Sequence, residues 1–146
     1  MSNNISTKPP VWFWIVSVLA LLWNLMGVSA YLADAFMKEE IMAAYTDAQR
    51  IIFETQPSWL TAAYAIGVFA GTIGCIGLLV RKNWAKPMLI ISLVAVLART
   101  CYYFFMTNAT EVFEVFQGTV FPIIIIIIAG LLIILAKVAK DRNWTL

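Results

Sequence analysis

An uncharged segment near the N-terminus limits what this chain can fold into. Residues 11–33, VWFWIVSVLALLWNLMGVSAYLA, contain no charged side chain. At about 1.5 Å of rise per residue, a helix of this length covers the roughly 30 Å hydrocarbon layer of a bilayer. Steps of three and four residues place small and polar side chains on one helical face: Ser17, Ala20, Asn24, Gly27, Tyr31 and Asp34. Lipid offers such a face no partner, so we expect it to meet protein.

Three further apolar segments follow, and the composition agrees with them. Only 12% of the residues are charged and 62% are hydrophobic, whereas soluble domains average about 25% charged residues. The sequence therefore predicts an all-α integral membrane protein with one domain, 1–146, and four transmembrane helices at about 11–33, 59–80, 87–106 and 119–136. We expect residues 1–10 to be a flexible tail, 34–58 an amphipathic helical loop on the outer side, and 137–146 a basic tail. Six consecutive isoleucines give the fourth helix a mostly lipid-facing surface.

Charge placement predicts the orientation. In this topology, seven Lys and Arg residues lie on the side of the termini and only two on the other side. The first group is Lys8, Arg81, Lys82, Lys86, Lys137, Lys140 and Arg142, and the second is Lys38 and Arg50. Because cytoplasmic loops carry the excess of Lys and Arg, both termini are expected in the cytoplasm.

The 34–58 loop is long enough to have structure of its own. The sequence from Thr46 to Gln49 fits a capping box, which predicts two short helices meeting near Thr46. An apolar helical face is expected from Met37, Ile41, Tyr45, Ala48 and Ile52. Such a loop can lie on the bilayer surface as an amphipathic lid or act as a substrate gate.

A stripe of small residues runs along the second span. Steps of four and three residues place them on one face: Ala63, Gly67, Ala70, Gly74 and Gly77. Small side chains let helix backbones approach closely, so dispersion can hold helices together within lipid. The stripe predicts a helix-packing surface.

The few polar groups inside the spans define a candidate internal polar site, formed by Asn24, Tyr31, Tyr64, Arg99 and Tyr102. Arg99 is the one charge inside a predicted span, and intramembrane charges are functional candidates. Three interpretations remain open for it. Its guanidinium could snorkel to the outer headgroups, form a structural lock with Asn24 at a similar counted depth, or bind an anion or a sugar hydroxyl.

Enzymatic chemistry finds little support. The chain has no histidine, the commonest general base and metal ligand. Cys75 and Cys101 are counted to depths about 18 Å apart, too far for a disulfide. We predict no catalytic residues, no metal, no cofactor and no nucleic-acid partner. Two functional classes remain: a small-solute transporter or channel-like protein acting as an oligomer, and an accessory or assembly subunit of a larger membrane complex.

A family resemblance rests on three stretches. These are VWFWIVSVLALLWNLMGVSAYL, the block AQRIIFETQPSWLTAAYAIGVFAGTIGCIGLLVRKNWA, and the apolar run at residues 122–130. Along nearly its whole length, the chain resembles small bacterial four-helix inner-membrane proteins that are commonly labelled sugar transporters. The resemblance implies a multi-pass protein of the bacterial inner membrane and adds sugars to the candidate solutes.

Overall fold

The computed structural model describes residues 5–146, and every regular element in that range is helical. Four long helices are long and apolar enough to cross a membrane: α1 (Val11–Phe36), α4 (Ser58–Leu79), α5 (Ala85–Phe105) and α7 (Phe121–Asp141), the last preceded by a π-helical turn, Phe116–Val120. The short helices are α2 (Lys38–Ala43), α3 (Asp47–Glu54) and α6 (Ala109–Val112). The predicted all-helical fold with four long apolar helices is therefore confirmed for the described residues.

The predicted span limits differ from the helix limits most at two ends. The first helix continues to Phe36 rather than residue 33, and the last runs to Asp141 rather than residue 136. Hydropathy marks the part of a helix that suits hydrocarbon, whereas backbone hydrogen bonding continues through charged residues beyond it. Asp34 consequently lies within α1, and half of the predicted basic tail is helical.

Close packing of α4 against α5 forms the centre of the bundle, with α1 on another side of α4 and α7 against α5. The small-residue stripe of α4 lies at the α5 contact. A Cβ atom built on Gly74 would lie 2.7 Å from Cγ of Leu89, and one on Gly77 would lie 2.8 Å from Cβ of Ala85. Only glycine lets these two backbones approach so closely.

The polar face of α1 is also used within the chain. A Cβ atom on Gly27 would lie 3.1 Å from Cγ1 of Val68, and the Asn24 amide donates to Sγ of Cys75 at 3.4 Å. Oligomerisation through this face, or through the small-residue face of α4, would have to displace a contact inside one protomer.

The two ends of the bundle differ. We call the end with the chain termini the terminal end, and the end with α2, α3 and α6 the loop end. At the terminal end Trp144 is buried, with its ring centroid 5.5 Å from that of Phe13. Arg81 has a left-handed backbone (φ 59°) and donates through Nε to the Trp144 carbonyl at 2.6 Å. Thr7 N donates to the Asn143 carbonyl at 2.8 Å. The predicted flexibility of residues 1–10 stays a prediction, and residues 1–4 lie outside the described range.

At the loop end, α2 and α3 form a helical hairpin. The Thr46 side chain accepts from Gln49 N at 3.3 Å, and the Gln49 side chain accepts from Thr46 N at 3.1 Å. The predicted junction near Thr46 is confirmed. Within the predicted apolar face, Ile52 is buried and Ile41 and Tyr45 are partly buried, whereas Met37 and Ala48 are exposed. Met37 separates α1 from α2, and Ala48 lies in the first turn of α3, after the break between α2 and α3.

Candidate solute site at the loop end

A cavity of about 330 Å³ lies at the loop end, between α1, α4, α5 and the α2–α3 hairpin. Ligand sites in proteins commonly measure about 300–1,000 Å³, so this cavity suits a small molecule. Its lining includes three charged side chains, several aromatic rings and a few apolar ones: Tyr31, Asp34, Ala35, Lys38, Ile41, Met42, Tyr45, Phe53, Gln56, Leu60, Thr61, Tyr64 and Arg99.

Aromatic rings hold the Arg99 guanidinium at the cavity wall. Its central carbon lies 4.4 Å from the ring centroid of Tyr64 and 4.9 Å from that of Tyr103. Both are cation–π distances, and such contacts strengthen when water is displaced from the cation. Tyr103 is one helical turn beyond Arg99 on α5, whereas Tyr64 comes from α4. The two rings come from neighbouring helices, so they hold Arg99 where α4 and α5 meet at the cavity.

Two further charges line the same cavity. Asp34 is half-buried near the end of α1, and Lys38 is exposed in the first turn of α2. Among residues 5–146, the one salt bridge within 4.0 Å joins Arg50 to Asp47, so Asp34 and Arg99 share a cavity without direct pairing. Two opposite charges that are partly desolvated but not paired with each other raise the free energy of the folded protein. A bound ligand or water that pairs with them lowers it.

The hairpin side of the cavity is fixed by aromatic packing and by Arg50. The rings of Tyr45 and Phe53 stack in parallel with centroids 5.1 Å apart, and Phe113 packs edge-on against both. Arg50 Nε donates to the Met42 carbonyl at 2.6 Å, which also accepts from Tyr45 N at 3.2 Å, so Arg50 ties α3 to the end of α2. Burial raises the pKa of the Tyr45 hydroxyl and the carboxylate of Asp34 raises it further, so this hydroxyl stays a neutral hydrogen-bond donor.

Gln56 connects the hairpin to α5. Its side-chain carbonyl accepts a hydrogen bond from the Tyr103 hydroxyl at 2.7 Å, and its side chain also lines the cavity. Tyr103 therefore contacts both Arg99 and the segment that leads from α3 into α4.

The structure brings together three of the five residues of the predicted internal polar site. Tyr31, Tyr64 and Arg99 line one cavity, and the rings of Tyr31 and Tyr64 meet edge to face with centroids 5.4 Å apart. Tyr102 instead packs edge-on against Trp59 at 5.6 Å and lines a separate groove of about 540 Å³ beside α3. Asn24 lies deeper in the bundle.

The interpretation that locks Arg99 to Asn24 is wrong. The Asn24 amide donates to the Ala20 carbonyl at 2.9 Å and to Cys75 Sγ at 3.4 Å. Its oxygen sits against Gly71, at the level of Ser92 on α5. Arg99 is seven residues further along α5, about 10 Å nearer the loop end at 1.5 Å per residue. The depth count failed because it placed the helices side by side at equal heights.

Sequence reasoning missed five polar residues of the cavity: Asp34, Lys38, Tyr45, Gln56 and Thr61. The first four belong to the 34–58 region, which was treated as a loop rather than as a cavity wall, and Thr61 lies near the start of α4. The capping box at Thr46 signalled that this region is structured, but no sequence signal showed that it folds back over the bundle. Within the described range, no three His, Cys, Asp or Glu side chains lie close enough together to hold a metal ion.

The fold and the cavity define a class: a small protein with four helices long and apolar enough to cross a membrane, and a polar, aromatic-lined cavity at one end. Comparison of the chain with protein-family models, curated proteins and solved structures gave no match.

Proposed function

We propose that this is a multi-pass membrane protein that binds a small polar solute in the loop-end cavity and transports it. The observation that carries the proposal is the cavity itself, where Arg99, Asp34 and Gln56 project among aromatic rings. Directional polar groups on an apolar wall are the usual composition of a small-molecule site. The proposed setting is a bacterial inner membrane, with the loop end outside and both termini in the cytoplasm.

Transport further requires a path to the other side. The terminal half of the bundle is filled by buried side chains, among them Phe13, Leu78 and Leu89. In the described residues, the cavity therefore does not continue through the terminal half of the bundle. Passage of a solute would require the helices to move or several protomers to assemble. Both routes fit a transporter better than an open channel. The alternative function is an accessory subunit of a larger membrane complex, in which the cavity would carry no solute.

The test is solute binding by the protein purified in mild detergent. A solute at one hundred times its Kd stabilises the folded state by about 2.7 kcal/mol, so a thermal-unfolding screen of sugars, polyols, amino acids and small carboxylates should find a stabilising class. Ala35 lines the cavity and Ala62, also exposed near the loop end, does not. Ala35→Trp should abolish the stabilisation, and Ala62→Trp should preserve it.

Two outcomes would count against the proposal. If no solute stabilises the protein and native mass analysis shows a stoichiometric second subunit, the accessory function is favoured. If both tryptophan variants keep the stabilisation, the solute binds elsewhere. Orientation is tested separately by reporter fusions after Leu146 and within residues 107–118, which should give opposite signals.

A further inference from the structure

The charges of the loop-end cavity narrow the class of solute, if the proposed function holds. The cavity presents one guanidinium on α5 and one carboxylate on α1, both half-buried, with no direct pairing within 4.0 Å among the described residues. A neutral sugar would leave both charges uncompensated. A simple carboxylate would pair with Arg99 but would meet Asp34 as a like charge. A simple amine would have the opposite difficulty.

We infer that the cavity binds a zwitterionic amino acid, whose carboxylate pairs with Arg99 and whose ammonium group pairs with Asp34. Arginine recognises carboxylates through two parallel N–H bonds, and the Arg99 guanidinium lines the cavity with no salt bridge within 4.0 Å among the described residues. Lys38 also lines the cavity but is exposed, so water screens its charge more than the charges of the half-buried Asp34 and Arg99.

The size of the cavity also limits the side chain of the ligand. At about 30 Å³ for each water-sized group, a cavity of about 330 Å³ holds on the order of ten non-hydrogen atoms. The ammonium, α-carbon and carboxylate of an amino acid account for five, which leaves about five for the side chain. Besides Lys38, Gln56 and Thr61, the remaining walls are apolar or aromatic, with contributions from Ile41, Met42 and Phe53. The geometry therefore favours a medium-sized apolar side chain, such as that of leucine, over glycine or tryptophan.

The decisive experiment uses the unmodified protein and four related compounds. Binding of leucine, N-acetyl-leucine, leucinamide and a hexose is measured by calorimetry in detergent. N-acetyl-leucine lacks the ammonium group and leucinamide lacks the carboxylate. Because each loss leaves one charge of the cavity unpaired, each derivative should bind about tenfold more weakly than leucine or worse. Glycine and tryptophan should also bind more weakly than leucine.

Matched variants then test which cavity residue pairs with each charged group of the ligand. Arg99→Gln should weaken leucine and N-acetyl-leucine but leave leucinamide unchanged. Asp34→Asn should weaken leucine and leucinamide but leave N-acetyl-leucine unchanged. A merely structural role for either residue would weaken all three compounds together. If a variant does not fold, the four-compound comparison on the unmodified protein still decides.

The outcomes separate this inference from the proposed function. Binding of the hexose without binding of leucine overturns the amino-acid assignment and keeps solute binding. Equal affinity for leucine and its two derivatives also overturns the assignment. Stabilisation by no compound in the wider solute screen overturns both.

Discussion

Replacing Gly74 by alanine adds a single methyl group at the tightest point between α4 and α5. The new Cβ atom would lie 2.7 Å from both Cγ and Cδ2 of Leu89 and 3.3 Å from its backbone N. Leu89 is only 2% exposed, so its side chain has no free space into which to turn. The two helices must therefore separate, or Leu89 must leave its preferred rotamer.

The size of the effect follows from a comparison with Gly130. Inserting a methyl group into a well-packed core typically costs about 1–3 kcal/mol, while Gly→Ala in a helix interior gains about 0.8–1 kcal/mol in helix propensity. Gly130 lies in the middle of α7, and a Cβ atom there meets no atom within 4 Å among the described residues. The propensity gain is common to both positions, so Gly74→Ala should be less stable than Gly130→Ala by about 1–3 kcal/mol.

Reversible unfolding by SDS in mixed micelles, followed by circular dichroism, measures this difference. The variant at Gly130 serves as the matched control because both glycines lie inside long apolar helices. Equal stability of the two variants would refute the argument that the small-residue stripe of α4 is needed for contact with α5. Greater stability of Gly74→Ala than of the unmodified protein would refute the close contact between Gly74 and Leu89.

Three further predictions concern single side chains. Thr46→Ala removes the cap of α3 and should lower local stability by about 1 kcal/mol, seen as faster amide exchange in α3, whereas Thr55→Ala beyond its end should have a smaller effect. Trp144→Ala leaves a cavity at the terminal end and should cost about 3–5 kcal/mol in unfolding free energy, and a loss below about 1 kcal/mol would contradict the burial of this ring. An apolar thiol reagent should label exposed Cys101 in the folded protein but buried Cys75 only after unfolding, and equal labelling rates would contradict the packing of α1 on α4.

The sequence predicted features that depend on local patterns. The lengths of the apolar segments predicted the four long helices, and the side chains of Thr46 and Gln49 predicted the cap that begins α3. Both follow from residues a few positions apart, which share one helix whatever the rest of the chain does. The contact of Arg99 with Tyr103 was also accessible, because residues four apart on a helix lie on one face.

Features that depend on tertiary arrangement were less accessible. The pairing of Arg99 with Tyr64 depends on the relative height of α4 and α5, which the lengths of the connecting turns do not determine. Asp34 was placed outside the first span by hydropathy, although helical hydrogen bonding carries it past the hydrocarbon segment and into the cavity wall. The hairpin covers the cavity because the chain breaks between α2 and α3. This break turns Tyr45 toward Phe53.

The surroundings of Arg99 lead to a last prediction, which separates the observed contact from the lock inferred by depth counting. The guanidinium lies 4.4 Å from the Tyr64 ring centroid, whereas Asn24 is engaged with Ala20 and Cys75. A double-mutant cycle of Arg99→Gln with Tyr64→Leu should show a coupling of about 0.5–2 kcal/mol in unfolding free energy, the range for cation–π contacts. The cycle of Arg99→Gln with Asn24→Leu should be additive within about 0.3–0.5 kcal/mol, because these residues share no partner. Both cycles use the same arginine variant, so its effect on the unfolded state cancels in the comparison. Coupling to Asn24 as large as the coupling to Tyr64 would refute the placement of Arg99 at the loop end.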